Sequence, residues 1–307
     1  MSAADILAIG EPMVEFNQAH PGRPEYLQGF GGDTSNMIIA ASRSGARTAY
    51  VTRIGDDAFG RLFLDLWKKE GVDVGGVAID PQAPTGAYFV THEAGGHAFS
   101  YLRTGSAASR MRVEDLPMAA IRSARFVHAS GISMAISTSA ADCVLAAFAA
   151  AREAGAAISF DANLRLKLWP LERARAMILA AVAGADYFLP SIEDARALSG
   201  LAEPAAIIDW AHRIGAGTVF LKLGAEGVVA SDGTRREHVP GLVVRAVDTT
   251  GAGDCFCGAA LARLAAGDSV WDAARYANAA AALSTTGFGA VDPLPRFEAV
   301  RRSMAGG

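Results

Sequence analysis

Asp248-Thr249-Thr250-Gly251-Ala252-Gly253-Asp254 leads directly into CFCGAALARLAAG. Phe256, Ala260 and Leu264 recur every fourth residue, and Gly267 stands where a helix would stop. That spacing predicts a helix from about Gly253. The first backbone N–H groups of a helix have no intrahelical acceptor, and the helix dipole adds partial positive charge at the same end. Small residues leave those groups open, so Gly251, Ala252 and Gly253 can hold an anion without a basic side chain. A carboxylate at that mouth is suited to accept the proton of an attacking hydroxyl. Asp254 is thus a candidate general base beside a phosphate, or alternatively a helix cap above a tight turn.

Other chemistries lack their residues. No Gly-Lys dipeptide occurs, so there is no Walker A loop, and Gly258 falls two positions late for G-x-G-x-x-G. The latter spacing argues against a nicotinamide enzyme. No G-x-S-x-G elbow is present. Cys255 and Cys257 diverge on a helix, which disfavours a zinc site.

The chain has 307 residues and a formal net charge of -4, with 28 Lys+Arg against 32 Asp+Glu. A hydrophobic share of 51% supplies a large core and excludes disorder. The mild acidity argues against nucleic acid as a partner, which needs a basic face. Three cysteines, Cys143, Cys255 and Cys257, suit a reducing compartment. Neither a signal-peptide pattern nor a long charge-free apolar run is found, so no membrane partner and a cytoplasmic location are expected.

Positioning these residues requires a regular framework. Ile6 to Ile9 reads as a strand, followed by a helix from near Asp33 to Gly45. Thr48 to Arg53 reads as a strand and 58–70 as a helix. Ala87 to His92 and His97 to Arg103 alternate around Ala94-Gly95-Gly96, a β-hairpin signature. From about residue 121, strands at 126–129, 157–161, 187–189 and 219–223 alternate with helices near 139–154, 172–183, 192–199 and 204–214. Such alternation predicts an α/β fold with a mostly parallel sheet covered on both faces. The helix-free segments 11–30 and 87–103 are read as a small β element projecting from it. No linker divides the chain, so one unit over 1–307 is expected.

Two segments carry a family resemblance. Asp248-Thr249-Thr250-Gly251-Ala252-Gly253-Asp254 resembles the C-terminal signature of the ribokinase-like (PfkB-type) carbohydrate kinases. Gly31-Gly32-Asp33-Thr34-Ser35-Asn36 resembles their N-terminal signature, and Arg53-Ile54-Gly55-Asp56-Asp57-x-x-Gly60 matches a further segment. The resemblance implies a three-layer α/β/α domain with a β lid over a sugar, from 11–30 and 87–103. It implies Asp254 as catalytic base and the Gly251, Ala252 and Gly253 amides as the cradle of the transferring phosphoryl group. It places ATP along Lys222, Gly224 and Gly227, with Asn278 on the helix flanking adenine. Lys222 could also simply end a strand. Many members carry Asn-x-x-Glu near a Mg²⁺–phosphate water network, whereas this chain has Ser191-Ile192-Glu193-Asp194. Either Glu193 or Asp194 would serve the metal. A K⁺-type ion near Asp248 and Thr250 and a homodimer through the lid are further implications.

The sugar end is more selective. Gly32, Asp33 and Asn36 should meet hydroxyls, though Asp33 could be a helix cap and Asn36 an internal polar residue. Tyr101-Leu102-Arg103-Thr104-Gly105-Ser106-Ala107, together with Tyr88, resembles the Tyr-x-Arg-x-Gly-Ser-Ala motif of 2-keto-3-deoxygluconate kinases. Asp161-Ala162-Asn163-Leu164-Arg165 resembles them too, but its Asn-Leu-Arg part also occurs in fructokinase-like relatives. Asn163 is expected at ATP, and Arg165 at substrate or ATP phosphate. Tyr101 and Arg103 share strand parity and face one side. An Arg fork matches a sugar carboxylate, so Arg103 favours an acid sugar, unless it is spent on a salt bridge within the lid. Fructokinase is the neighbouring alternative. A non-catalytic sensor on the same scaffold is the alternative of another class.

Overall fold

The computed structural model describes residues 4–93 and 96–306. In chain order the strands begin with β1 (Ile6–Ile9), β2 (Met13–Gln18), β3 (Tyr26–Gly31) and β4 (Thr48–Gly55). Next come β5 (Val72–Asp80), β6 (Gly86–Glu93), β7 (Gly96–Leu102), β8 (Phe126–Ser130) and β9 (Ala157–Asp161). The last are β10 (Tyr187–Phe188), β11 (Thr218–Lys222), β12 (Val228–Ser231) and β13 (Arg236–Val239). The helices start with α1 (Asp33–Arg43), α2 (Ala58–Lys69), α3 (Met118–Ser123), α4 (Gly131–Ala135) and α5 (Thr138–Glu153). They continue with α6 (Leu171–Val182), α7 (Ile192–Ser199), α8 (Pro204–Arg213), α9 (Ala252–Ala265), α10 (Val270–Ser284) and α11 (Phe297–Ala305).

Nine strands form one sheet in the order β13-β12-β11-β10-β9-β8-β1-β4-β5. From β11 through β5 the neighbours run parallel, whereas β11, β12 and β13 are joined antiparallel. The central strand β1 shows why the apolar runs are continuous: Leu7 and Ile9 enter the core beneath α5, α6, α7 and α8, while Ile6 and Ala8 enter the core shared with α1, α9 and α10. A strand covered on both faces must be apolar at every position. Helix α9 is buried nearly all round, as its small apolar residues allow. The expected α/β class and the mostly parallel sheet with helices on both sides are thus present.

The remaining strands form a second sheet, β3-β2-β6-β7. The hairpin of 87–103 is there, though the turn residues Ala94 and Gly95 lie outside the described residues. Segment 11–30 contributes two strands, β2 and β3, as expected of the small β element. Three strands were not anticipated. Strand β5 pairs with β4 at one edge, and β12 with β13 makes a helix-free pair inside the large sheet, where only crossover-linked strands were expected. Among the described residues, no helix is long and apolar enough to cross a membrane.

Candidate active site

The C-terminal ends of β9 and β11 open into one cavity of about 1040 Å³. This is where ligands bind in open parallel sheets. Its walls include Gly32, Asp33, Asn36, Tyr88, Tyr101 and Arg103 towards the second sheet, and Lys222, Gly224, Gly227 and Asn278 at the other end. Gly251, Ala252, Gly253 and Asp254 lie between.

Helix α9 begins one residue earlier than expected. Its N-cap is Gly251 at φ 76°, a conformation that favours glycine, and no side chain caps it. The Ala252 N–H turns back to the Thr249 carbonyl at 3.2 Å, so it is not free for a ligand as the sequence suggested. Asp254 is not a cap: its Oδ2 accepts from Asn36 Nδ2 at 2.8 Å. Asn36 is therefore no mere internal polar residue. Asp33 is not a cap either, because Gly32 at φ 99° occupies that position. A Cβ there would meet the Glu11 carbonyl oxygen at 2.4 Å. Asp33 Oδ2 accepts from Asn163 Nδ2 at 3.0 Å, which puts Asn163 against that carboxylate. Asp33 Oδ1 and Asn36 Oδ1 are buried without a partner among the described residues, an arrangement that fits ligand hydroxyls as donors.

The electrostatics follow from this crowding. Burial, with the Asp33 carboxylate next to it, pushes the Asp254 carboxyl up to about 8, against the pull of the Asn36 donor. Burial raises Asp33 also. Asp161, unmarked as a site residue in the sequence, ends β9 and faces the same space. Its Oδ2 takes Lys222 Nζ at 2.9 Å and Cys257 Sγ at 3.4 Å. Burial alone would lower Lys222, but the Asp161 carboxylate holds it protonated.

At the second sheet, Tyr88 donates to Glu15 Oε2 at 2.5 Å and sits 5.9 Å, centroid to centroid, from Tyr101. Arg103 is not a free fork. Its Nη2 pairs with Glu11, which also receives the Ser106 hydroxyl. The reason is cost: Glu11 is fully buried after β1, and a buried carboxylate demands a cation. Arg103 Nε remains unpartnered among the described residues. Glu11 and Glu15 were missed, since their partners are 92 and 73 residues away. Arg165 lies at the exposed rim, bonded to the Leu164 carbonyl.

The Ser191 hydroxyl caps α7 by accepting from Asp194 N at 3.1 Å, so it is committed to the helix. Of the two acids beyond it, Glu193 is exposed, whereas Asp194 is half-buried and raised by burial and then by Asp161. Asp248 Oδ1 accepts from Thr250 N and Oγ1, and Oδ2 accepts from Gly289 N. Among the described residues no three His, Cys, Asp or Glu side chains are grouped to hold a metal. Asn278 Nδ2 donates to the Pro240 carbonyl at 2.8 Å, tying α10 to the loop after β13. Gly227, at φ 97°, would carry a Cβ 2.1 Å from the Val239 carbonyl oxygen, so only glycine closes that turn.

Comparison with known proteins follows the same lines. The pfkB family carbohydrate kinase model matches residues 3–296. A 2-dehydro-3-deoxygluconokinase of Thermoproteus tenax is 37% identical over 262 residues, covering 82% of this chain and 79% of that protein. Fructokinase-1 of Zea mays is 34% identical over 305 residues, covering 94% of each. The crystal structure of a fructokinase with bound ATP from Xylella fastidiosa superposes with a TM-score of 0.91 at 27% identity, covering 98% of each chain. With both signature segments facing one cavity, the chain belongs to the pfkB family of carbohydrate kinases.

Proposed function

We propose that this kinase transfers the terminal phosphoryl group of ATP to the C6 hydroxyl of 2-keto-3-deoxygluconate. The observation that carries the reading is Asp254, held by Asn36 at the open N-terminus of α9, in one cavity with Tyr88, Tyr101 and Arg103. Asp254 orients the hydroxyl and takes its proton as the oxygen attacks the γ-phosphorus. Gly251 and Gly253 supply backbone N–H groups toward the charge that develops on the phosphoryl oxygens. The second sheet acts as a lid, and Tyr88 with Tyr101 provides the apolar wall against the sugar. Arg103 meets the sugar carboxylate with the donors that Glu11 leaves over, and Arg165 adds a second cation at the rim. Lys222, Gly224, Gly227 and Asn278 border the nucleotide. Asp194, facing inward, would hold Mg²⁺ through water, and Asp248 with Thr250 a monovalent cation. The Mg²⁺ would neutralise phosphate charge when bound.

A fructokinase is the second reading, favoured by the Glu11–Arg103 pair, which cancels much of the charge an acid sugar needs. A substrate panel of 2-keto-3-deoxygluconate, its galactonate epimer, fructose and ribose decides between them. We expect the highest kcat/KM with 2-keto-3-deoxygluconate, and a higher value with fructose would reverse the assignment. Arg103→Ala is expected to cost the acid sugar about tenfold more than it costs fructose, since a charge-assisted fork is lost from one substrate alone. A sensor would show no sugar-dependent ADP release in a coupled assay.

A further inference from the structure

Lys222 is the last residue of β11, with its side chain 12% exposed. Its ammonium is held in the wall of the cavity rather than free within it. It lies 2.9 Å from Asp161 Oδ2 and 3.5 Å from Cys257 Sγ. It also abuts the glycine turn, because a Cβ built on Gly253 would stand 3.5 Å from Nζ. A cation is thus fixed against the backbone that faces the transferring group. The other Asp161 oxygen, Oδ1, receives the Asn163 backbone N–H at 3.4 Å. Asn163 has φ 30°, unusual for a residue with a Cβ, and its side chain binds Asp33. One carboxylate therefore reaches both ends of the cavity.

We propose that Asp161 is a positioning residue for phosphoryl transfer: it holds the Lys222 ammonium against the Gly251–Gly253 turn, where that cation meets the terminal phosphoryl oxygens, and it fixes Asn163 against Asp33. Lys222 is then a catalytic residue in the strict sense, since it touches the reacting group. A buried ammonium adds to the glycine amides a point charge at the place where negative charge develops. This rests on the kinase reading of the cavity and not on the choice of sugar.

The test is a charge cycle on the intact protein, assayed with whichever sugar the wild type turns over fastest. Lys222→Met is expected to lower kcat by about 10²- to 10³-fold, the loss typical of one preorganised donor. KM for sugar is expected to stay within about threefold, because the lost contact is made in the transition state. Asp161→Asn leaves the cation unplaced, and kcat is expected to fall about 10- to 100-fold, within the range of a mispositioned catalytic group. The two variants should also move the acid limb of the pH–rate profile in opposite directions. The groups facing Asp254 are Asp33 on α1, Asp161 on β9, Lys222 on β11, Cys257 on α9 and, more remotely, Tyr88 on β6. Losing the ammonium moves the limb to higher pH, and losing the Asp161 charge moves it to lower pH.

The double variant Asp161→Asn with Lys222→Met is decisive. If Lys222 only balances a buried charge, removing both charges restores turnover, and the proposal is overturned. If Lys222 acts on the phosphoryl group, the double variant stays as slow as Lys222→Met. The double variant also carries the test if Lys222→Met alone fails to fold, since it leaves no uncompensated charge. Lys222→Met activity within about threefold of wild type would equally overturn the proposal, since that is far short of one donor's worth. A wrong sugar assignment changes the panel and leaves this cycle intact. A wild type without any sugar-dependent ADP release removes the kinase reading and this proposal together.

Discussion

At the scale of single residues, Asp254 joins activity to stability. Its folded carboxyl titrates near 8, raised by burial and by Asp33. An unfolded aspartate titrates near 4. Between these values the folded state binds more protons than the unfolded state, so stability falls as pH rises from about 4 through about 8. Asp254→Asn removes that dependence and keeps a side chain of the same size. Its melting temperature should exceed the wild type's by about 2 to 5 °C at pH 9 in calorimetry, with little difference at pH 4. Its turnover should fall by at least about 10³-fold while ATP affinity stays within about threefold, because a general base acts in the transition state. For the free wild-type enzyme, kcat/KM should climb with pH up to about 8 and then level off. A profile already flat from pH 6 would exclude Asp254 as the titrating base.

At the scale of elements, the distance between Asn36 and Asp254 is set by helix packing. Gly258 lets α9 lie directly on α1: a Cβ there would be 2.2 Å from the Met37 carbonyl oxygen. Gly258→Ala must push the two helices apart, although Gly258 touches no ligand. We expect kcat to drop by about 10-fold or more with a loss of about 1 to 3 kcal/mol in denaturant unfolding, as overpacking at a backbone contact costs. Unchanged kcat would show that the helix spacing does not govern the Asn36–Asp254 bond. The elements were legible where local chemistry was regular. The glycine turn before α9 and the strand–helix alternation after residue 121 follow from spacing. Strand β5, VDVGGVAID, carries two central glycines and a bulge against β4 that blur its pattern. The pair β12 and β13 is joined by a turn instead of a helix, so nothing local assigned it to the large sheet. Within the site, the signature residues could be read because each motif is contiguous. Glu11 and the role of Asp161 could not, since a buried carboxylate reveals itself only through a partner brought up by another strand.

At the scale of the whole molecule, a chain of net charge -4 binds anions by placing charge rather than by carrying an excess of it. Positive potential is concentrated at the start of α9 and at Lys222, while Glu11 offsets Arg103. The second sheet leaves Leu27 and Leu102 66% and 65% exposed on its two edge strands, β3 and β7. Unpaired edges with apolar side chains favour association with a second copy. Sedimentation equilibrium is expected to give a dimer for the wild type and a monomer for Leu27→Asp with Leu102→Asp. A dimer that survives both changes would place the interface elsewhere.

The hydrogen bond between Asn36 and Asp254 spans 218 positions of the chain. Ribosomes make a protein from its N-terminus, and chains fold as they emerge. α1 is therefore complete long before its partner exists, and the apolar face that α9 will cover must wait through most of translation. A nascent chain stopped before residue 254 has α1 and the second sheet complete, but lacks Asp254, the proposed base. Activity arrives late and all at once, and the waiting surface of α1 is where a chaperone would be needed.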